Sequence, residues 1–597
     1  MQRFDFILIV PVLVYVSLGL CQLRLPGLAY DEVFFGPAAL GRTQDFLTPM
    51  ATEPVDSTAR YSPLAFSIFS FSFGETSVPI MLMPYWGAVK AWLLAPWFAW
   101  WGASVELIRL TAIGIGALAL VCFLGVLRYC FSPLIALLAG LFVATDPSYL
   151  FYTRHDFGGA GLSLLFMLAP LVCFIWWQAT GRVRYWAAAF GLLGAGLYHR
   201  LDFLAFLAAV GGCGLWCLRP ILRQWLDWKT LSIAVLAFSL GVSPFLLFVW
   251  QRSAIAASPL SLATPVEDAS ELIAVARLKG YVLATVLNGM ALYDFFSDRS
   301  GLSVGRVVRP NGEKRVGVFT PDQSLRLASL LTGTLTPAVL LVALCSVWFM
   351  CPPHALRALL IFLLLFMVCL FLVRGAVRGH HFVVLVPAVA ACLVSAGQHL
   401  FRQFRHSWAR VGMLAVGIGC IGTNLIVDYR YQQLLSATGG RGIWSDAIYD
   451  VTTYLQQSCP TRRCLLGDWG MGTQALTLAS GQLAIEEMFW PYLNSEADNP
   501  EHQHRQEQQL LQLMQPNQPN QPNQPNQPNQ PNQPDPIHPP LFVFYTDRYV
   551  NFSRPKQLLY ATANKAGLEV TVERVFSQRD GTPVIEVISL QAGQRSD

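Results

Sequence analysis

The amino-acid sequence predicts a polytopic α-helical membrane protein that ends in a soluble α/β domain. Of its 597 residues, 54% are hydrophobic and only 13% are charged, whereas about a quarter of a soluble globular chain is charged. The mean hydropathy is correspondingly positive, at +0.44. Long uncharged apolar runs recur as far as residue 427, and the composition becomes polar after residue 428. The net charge of +5 is modest, and no basic stripe with interleaved aromatic residues indicates binding to nucleic acid.

Eleven apolar runs are long enough, or nearly so, to cross the roughly 30 Å of hydrocarbon in a bilayer. These predicted spans are 6–23, 110–127, 133–151, 157–178, 185–198, 203–218, 231–250, 327–350, 358–373, 382–398 and 411–427. The first follows a basic start, but no small-residue cleavage site comes after it, so we predict a retained helix and not a signal peptide. The short fifth and sixth runs flank His199-Arg200-Leu201-Asp202 and predict two helices that meet at one membrane surface.

Lysine and arginine residues in the short loops predict the orientation of these spans. If the N-terminus is cytoplasmic, every short inner loop is basic; the residues concerned are Arg128, Arg182, Arg184, Arg219, Arg223, Lys229, Arg357, Arg402, Arg405 and Arg410. Two long loops, 24–109 and 251–326, then face outward, and so does the C-terminal region. We therefore expect a multi-pass protein of the plasma or inner membrane, with residues 1–428 as its transmembrane domain.

Residues 429–597 predict an extracytoplasmic α/β domain. The elements expected there are helices at 445–457 and 554–566, strands at 463–469 and 541–547, and a terminal hairpin of 568–576 with 583–590. Residues 515–535 contain six Gln-Pro-Asn triplets and a final Gln-Pro-Asp. Proline at every third position forbids a helix or a central strand, so this stretch predicts an extended, solvated insertion.

The cysteine pattern leaves one question open. Cys459 and Cys464 lie in a polar stretch near the C-terminus, whereas the other eleven cysteines lie in or beside apolar segments. A local disulfide is plausible if this stretch faces an oxidising compartment, and two free thiols are the alternative. The second cysteine pair that a zinc site would need is missing from the sequence around them.

Acidic residues follow two of the predicted spans at the outer surface. Asp31 and Glu32 come a few residues after the first span, in LPGLAYDEVFFGPAALGR, and Asp156 follows Tyr152-Thr153-Arg154-His155. Taken alone, such positions are typical of an ordinary solvated boundary. Their surroundings favour a functional interpretation.

The order of motifs along the chain resembles glycosyltransferase family 39, the group of protein O-mannosyltransferases and aminoarabinose transferases with a GT-C fold. The shared features are the acidic pair after the first helix, the amphipathic PYWGAVKAWLLAPWFAWWG segment, the Arg-Leu that opens the next helix, and the acidic residue after Tyr-x-Arg. HHFVVLVPAVA is similar to a later helix of these relatives. The resemblance covers roughly residues 5–220 and, more weakly, 370–400.

The resemblance implies transfer of a sugar from a polyprenyl-phosphate carrier to an extracytoplasmic glycan, lipid or protein. Asp31 would act on the acceptor hydroxyl as general base, with Glu32 beside it, and Asp156 would organise the site or a divalent metal ion. Relatives often carry Glu-Lys where this chain has Tyr85 and Trp86. Lys90 is then the candidate substitute as a phosphate ligand.

A group of cations in the short outer loops is independent evidence for an anionic ligand. The members are Arg154, Arg200, Arg374 and Arg378, with His199, His380 and His381 as neighbours. The positive-inside bias disfavours cations on this side, so their presence indicates an anion there, and a lipid phosphate at the membrane surface fits. Salt bridges to Asp156 and Asp202 are the alternative explanation.

Two other classes of protein compete with the enzyme. A transporter or flippase of a lipid-linked sugar commonly shows internal repeats and ionisable residues deep within its helices, and neither is evident in this sequence. A non-catalytic tether that binds a surface polymer would leave the acidic pair and the long first loop unexplained.

Overall fold

The computed structural model describes residues 6–41, 67–73, 76–217, 227–251, 269–296, 354–372, 378–403, 407–488 and 539–592, with scattered positions from 504 to 514. The chain divides into two compact units. Unit 1 contains Met1–Leu23, Ile80–Lys90 and Glu106–Gln433, and unit 2 contains Arg24–Pro79, Ala91–Val105 and Leu434–Asp597. The boundary predicted from the sequence at 428/429 stays a prediction.

Helices make up most of the described chain as far as residue 438. They are α1 (Ile9–Leu20), α2 (Tyr30–Val33), α3 (Gly36–Ala39), α4 (Val89–Trp101), α5 (Val105–Cys130), α6 (Pro133–Ala144), α7 (Pro147–Arg154), α8 (Ala160–Thr180), α9 (Val183–His199), α10 (Phe203–Cys217), α11 (Trp228–Gln251), α12 (Ala269–Leu287), α13 (Tyr293–Phe296), α14 (His354–Leu372), α15 (Gly379–Phe382), α16 (Val386–Gln403) and α17 (Ser407–Thr438). Strands β1 (Phe69–Phe73), β2 (Thr76–Met83) and β3 (Trp86–Gly87) form a small sheet before α4.

Within the described residues, five helices are long and apolar enough to cross a membrane, which indicates an integral membrane protein. The number is six if α6 and α7, which meet at a bend of 64°, count as one span. Two shorter apolar helices lie at Phe6–Leu20 and Phe203–Leu215. The predicted count of eleven is therefore not confirmed, and the predicted span 327–350 lies outside the described residues.

The two long loops that the sequence predicted contain more structure than expected. Helix α12 lies inside the predicted loop 251–326. It carries Arg277 and Lys279, so it does not stand out as an uncharged run. The Lys279 side chain is buried, and its Nζ donates at 3.0 Å to the carbonyl oxygens of Leu370 and Phe371 near the end of α14.

The C-terminal region is an α/β fold, as predicted. Its further elements are α18 (Ala447–Ser458), β4 (Cys464–Leu466), α19 (Met471–Leu478), β5 (Ile485–Glu487), β6 (Leu541–Tyr545), α20 (Ser553–Lys565), β7 (Leu568–Ser577) and β8 (Pro583–Ala592). The five strands are ordered β5-β4-β6-β8-β7. Strand β4 runs parallel to β5 and β6, and β8 runs antiparallel to β6 and β7. The predicted repeat at 515–535 lies outside the described residues.

The central strand β6 explains why this sheet has helices on both faces. All five of its residues are buried, and successive side chains of a strand point to opposite faces. Leu541, Val543 and Tyr545 pack in the cluster that contains α18 and α19. Phe542 and Phe544 pack in a second cluster with α20. On the approach to β4, Cys459 and Cys464 form a disulfide, which answers the question that the sequence left open.

Candidate active site

Lys90 and Asp156 form a buried ion pair in unit 1. The Lys90 Nζ lies 3.0 Å from Oδ2 of Asp156, and both side chains are almost completely buried. Lys90 belongs to the first turn of α4, and Asp156 follows the end of α7. An ion pair removed from water persists only with good geometry and further hydrogen bonds. The structure therefore brings together two residues that the sequence predicted separately.

The backbone turns sharply where Asp156 joins α8. Asp156 has a φ of 48°, and Gly158 and Gly159 have φ values of 60° and 71°. Aspartate and glycine tolerate this left-handed region better than other residues. The Asp156 Oδ1 accepts a hydrogen bond of 2.7 Å from the Gly161 N–H in the first turn of α8. One carboxylate thus holds Lys90 with one oxygen and the start of a helix with the other.

Arg200, Asp202 and His381 form a second polar group against the same turn. The Arg200 Nη1 donates to the carbonyl oxygen of Gly158, and its Nη2 lies 2.8 Å from Asp202 Oδ2. The Nδ1 of His381 lies 2.7 Å from the same carboxylate oxygen. Burial opposes ionisation of Asp202, but Arg200 and His381 outweigh it and hold the pKa of this carboxyl well below its usual range. Asp202 therefore carries a negative charge between two donors.

His199 and His380, the two other histidines predicted beside the cations, pack around the Gly158–Gly159 turn. The Nε2 of His199 lies 3.2 Å from the carbonyl oxygen of Gly159. A Cβ at Gly158 would lie 2.5 Å from Cδ2 of the His380 ring, and a Cβ at Gly159 would lie 2.7 Å from Nε2 of His199. Both glycines are therefore required by close packing as well as by their dihedral angles.

Arg154 and Arg378, two further predicted phosphate ligands, have different surroundings. Arg154 is fully buried, and its Nη2 donates at 2.6 Å to the carbonyl oxygen of Gln22 after α1. Arg378 is exposed immediately before α15. Arg374 lies outside the described residues.

The acidic pair of the first loop belongs to unit 2, and its two members have different environments. Glu32 is fully buried in the single turn α2, and its Oε2 accepts a hydrogen bond of 3.4 Å from the Ala29 N–H at the start of that helix. Asp31 is partly exposed on the same turn. Adjacent residues of a helix project about 100° apart, which separates the two carboxylates.

The described residues include no group of three His, Cys, Asp or Glu side chains placed to hold a metal ion. At Asp156, one carboxylate oxygen faces the Lys90 ammonium and the other accepts the Gly161 N–H. This carboxylate is therefore already occupied by two donors, which is a poor fit to a divalent cation.

Arg200 and Asp202 are the functional candidates that sequence reasoning undervalued. In the sequence, Arg200 is one of the cations that indicate an anionic ligand, and Asp202 is a possible salt-bridge partner; the structure shows the bridge between them. Their signal in the sequence was Arg-x-Asp between two short apolar runs. The contact with His381 joins positions far apart along the chain, and local patterns do not reveal such pairs.

No protein-family model and no curated protein matches this sequence. Among solved structures, the chain is similar to ArnT from Cupriavidus metallidurans bound to undecaprenyl phosphate, with 12% identity, coverage of 97% of both chains and a TM-score of 0.48. It is also similar to the oligosaccharyltransferase from Archaeoglobus fulgidus in the apo form, with 17% identity, 80% of this chain covered and a TM-score of 0.45. The chain spans 64% of that oligosaccharyltransferase, just under two thirds.

At TM-scores below 0.5 this likeness supplies no correspondence between residues. The function is therefore argued from the side chains of this protein.

Proposed function

We propose that this protein is a membrane glycosyltransferase that moves a sugar from a polyprenyl-phosphate carrier to an extracytoplasmic acceptor, which is a glycan, a lipid or a protein. The observation that carries the proposal is the polar group of Lys90, Asp156, Arg200, Asp202 and His381 around one helix-starting turn, in which the first three side chains are buried and the last two are half-buried. It lies at the ends of apolar helices, where a lipid-linked anion would be recognised.

Cations at this position suit the leaving group of the reaction. When the bond between the anomeric carbon and the phosphate oxygen breaks, the electron pair stays with the phosphate, and polyprenyl phosphate departs with an additional negative charge. Fixed positive groups in a water-poor site stabilise such developing charge far better than groups in water. Lys90 and Arg200 are our candidates for this role, and Arg378, with Arg374, is a candidate for first contact with the phosphate.

Activation of the acceptor is the second requirement, and we assign it to Asp31. The carboxylate would take the proton of the acceptor hydroxyl while the acceptor oxygen forms a bond to the anomeric carbon. Partial exposure leaves Asp31 accessible to an acceptor, whereas the burial of Glu32 and its contact with Ala29 favour a structural role for Glu32. Asp156 would hold the Lys90 side chain in place through their ion pair.

The proposed location follows from the same chemistry. We place the N-terminus in the cytoplasm and both the active site and the C-terminal domain outside the plasma or inner membrane. The Cys459–Cys464 disulfide supports this orientation, because disulfides persist in oxidising compartments.

The acceptor is first identified by comparing surface glycans with and without the gene. The decisive experiment then measures turnover by the purified Asp31→Asn protein with this acceptor and a short-chain polyprenyl-phosphate sugar. Loss of a general base lowers the rate by about 10²- to 10⁴-fold. Asp450→Asn is the matched control, because Asp450 is an exposed aspartate on α18 in the same unit. If Asp31→Asn retains activity within threefold of wild type, Asp31 is not the base. If the wild-type protein itself transfers no sugar, transport of a lipid-linked sugar becomes the better hypothesis.

A further inference from the structure

The chain just before Asp31 is held by backbone contacts with C-terminal residues of the same unit. The Gly27 N–H donates to the carbonyl oxygen of Gly439 at 3.3 Å. A Cβ on Gly27 would lie 2.1 Å from the carbonyl oxygen of Ser445, so no larger residue fits there. The Tyr449 hydroxyl donates at 2.8 Å to the carbonyl oxygen of Arg24. The approach to the acidic pair is thus fixed at several points.

Gln474 makes a short side-chain hydrogen bond with this segment. It lies on α19 and is 1% exposed. Its Nε2 donates at 2.7 Å to the carbonyl oxygen of Leu28, three residues before Asp31, and lies 3.4 Å from the carbonyl oxygen of Ile443. A single buried amide therefore joins the start of the acidic segment to α19 and to the loop before α18.

The segment is also anchored at Tyr30 and, beyond Asp31, at Gly36. The ring centroids of Tyr30 and Trp469 are 4.2 Å apart. Trp469 is held in turn by its own N–H, which donates at 2.8 Å to the buried carboxylate of Asp468. Further on, a Cβ at Gly36 would lie 2.2 Å from the Thr477 hydroxyl oxygen on α19, so α3 packs tightly on that helix.

From these contacts we infer that α19 sets the position of Asp31 and that Gln474 is a positioning residue for the acceptor-activating step, an inference that depends on the proposed role of Asp31. Helix α2 is a single turn of four residues, and a helix this short has no stability of its own in water. The direction of the Asp31 carboxylate must therefore come from its anchors. Reacting groups need to be held within roughly half an ångström of their productive geometry.

Gln474→Leu tests the inference, because leucine fills a similar space but cannot donate to Leu28. The expected result is a fall in kcat of about 10- to 100-fold, since a misplacement near 1 Å can lower the rate by about 10²-fold. The KM for the polyprenyl-phosphate sugar should stay within threefold, because the proposed donor ligands belong to unit 1. Thr562→Val is the control for a general loss of stability in this unit, since Thr562 is buried on α20, which packs against β7.

The same substitution in the Asp31→Asn background separates positioning from general damage. If Gln474 acts through Asp31, Gln474→Leu lowers kcat no further once the carboxylate is gone. A wild-type kcat for Gln474→Leu, or losses that multiply in the double variant, would overturn the positioning role while leaving the base assignment intact. Near-normal activity of Asp31→Asn alone would overturn the proposed base and the positioning role together.

Folding is monitored by formation of the Cys459–Cys464 disulfide and by thermal unfolding. Should Gln474→Leu fail to fold, Trp469→Leu replaces it, because this change removes the ring contact with Tyr30 and leaves the Gln474 amide in place. The same pattern of reduced kcat, unchanged donor KM and no further effect with Asp31→Asn is expected, and a wild-type kcat would again refute the inference.

Discussion

The Lys90–Asp156 pair offers the clearest test of whether the buried polar group does chemistry or only stabilises the fold. Lys90→Met leaves the Asp156 carboxylate in a fully buried position without its cation, and Asp156→Asn leaves Lys90 without its anion. Removing one partner of a buried pair typically costs about 3–5 kcal/mol, whereas replacing both partners with uncharged residues of similar volume is often neutral. Each single variant should therefore be markedly less stable, and the double variant should recover most of that loss.

Activity should not recover with stability. We expect the Lys90→Met/Asp156→Asn double variant to melt close to wild type but to transfer sugar at least tenfold more slowly, because it lacks the cation proposed for the departing phosphate. Thermal unfolding in detergent and turnover with a lipid-linked donor measure the two effects on one preparation. Arg184→Gln, at an exposed position on α9, controls for loss of a charge elsewhere. A double variant with both stability and turnover restored would show that the pair is structural and would refute our reasoning.

Three further predictions concern other parts of the chain. Reporter fusions after Arg441 should be active only with reporters that work outside the cytoplasm, and a cytoplasmic signal would reverse the proposed orientation. Deleting 515–535 should leave turnover intact, because a solvated Gln-Pro-Asn insertion contributes no packed core; lost activity in a folded deletion protein would contradict this. Two hydrogen bonds of 2.7 and 2.9 Å from Arg462 hold the pKa of Glu573 below its ordinary value. The pair therefore contributes its full stability at pH values above the ordinary carboxyl pKa. This contribution is lost as the pH falls through the lowered pKa of Glu573. The loss of stability at low pH is worth about 0.2–1 kcal/mol for an accessible pair, and Arg462→Gln should abolish it. Thermal unfolding measured as a function of pH tests this, and a pH dependence unchanged by the substitution would exclude the mechanism.

The parts of the fold that were predictable are those with a strong local pattern. The apolar run of β6 and the Arg-Asp-Gly-Thr turn between β7 and β8 mark their elements without tertiary information. Strand β5, by contrast, has three residues and is defined by its parallel pairing with β4. Helix α19 begins after Gly470 with no acidic residue in its first turn, so the usual start signals are missing.

The candidate site shows the same division between local and long-range information. The sequence identified Lys90, Asp156 and His381 as candidates, but it could not pair the first two. It offered salt bridges to Asp156 and Asp202 as the alternative explanation of the cations, and the structure shows such bridges from Lys90, Arg200 and His381. Arg154 lies two residues before Asp156, yet it bonds to Gln22. The reason is local geometry, because α7 ends at Arg154 and the chain then turns through the left-handed region at Asp156.

Asp31 and Glu32 show why a pair of adjacent acids need not be a pair of catalysts. Both residues are acidic and both follow the first span, so the sequence treats them alike. In the structure, Glu32 closes the first turn of α2 through Ala29 and is inaccessible, while Asp31 projects from the same turn and is partly exposed. A buried carboxylate that closes a turn fixes the backbone, and an accessible one on that fixed backbone can accept a proton. The burial of Glu32 and the hydrogen bond from Gln474 would then have the same effect, which is to hold the backbone that carries the Asp31 carboxylate rigid.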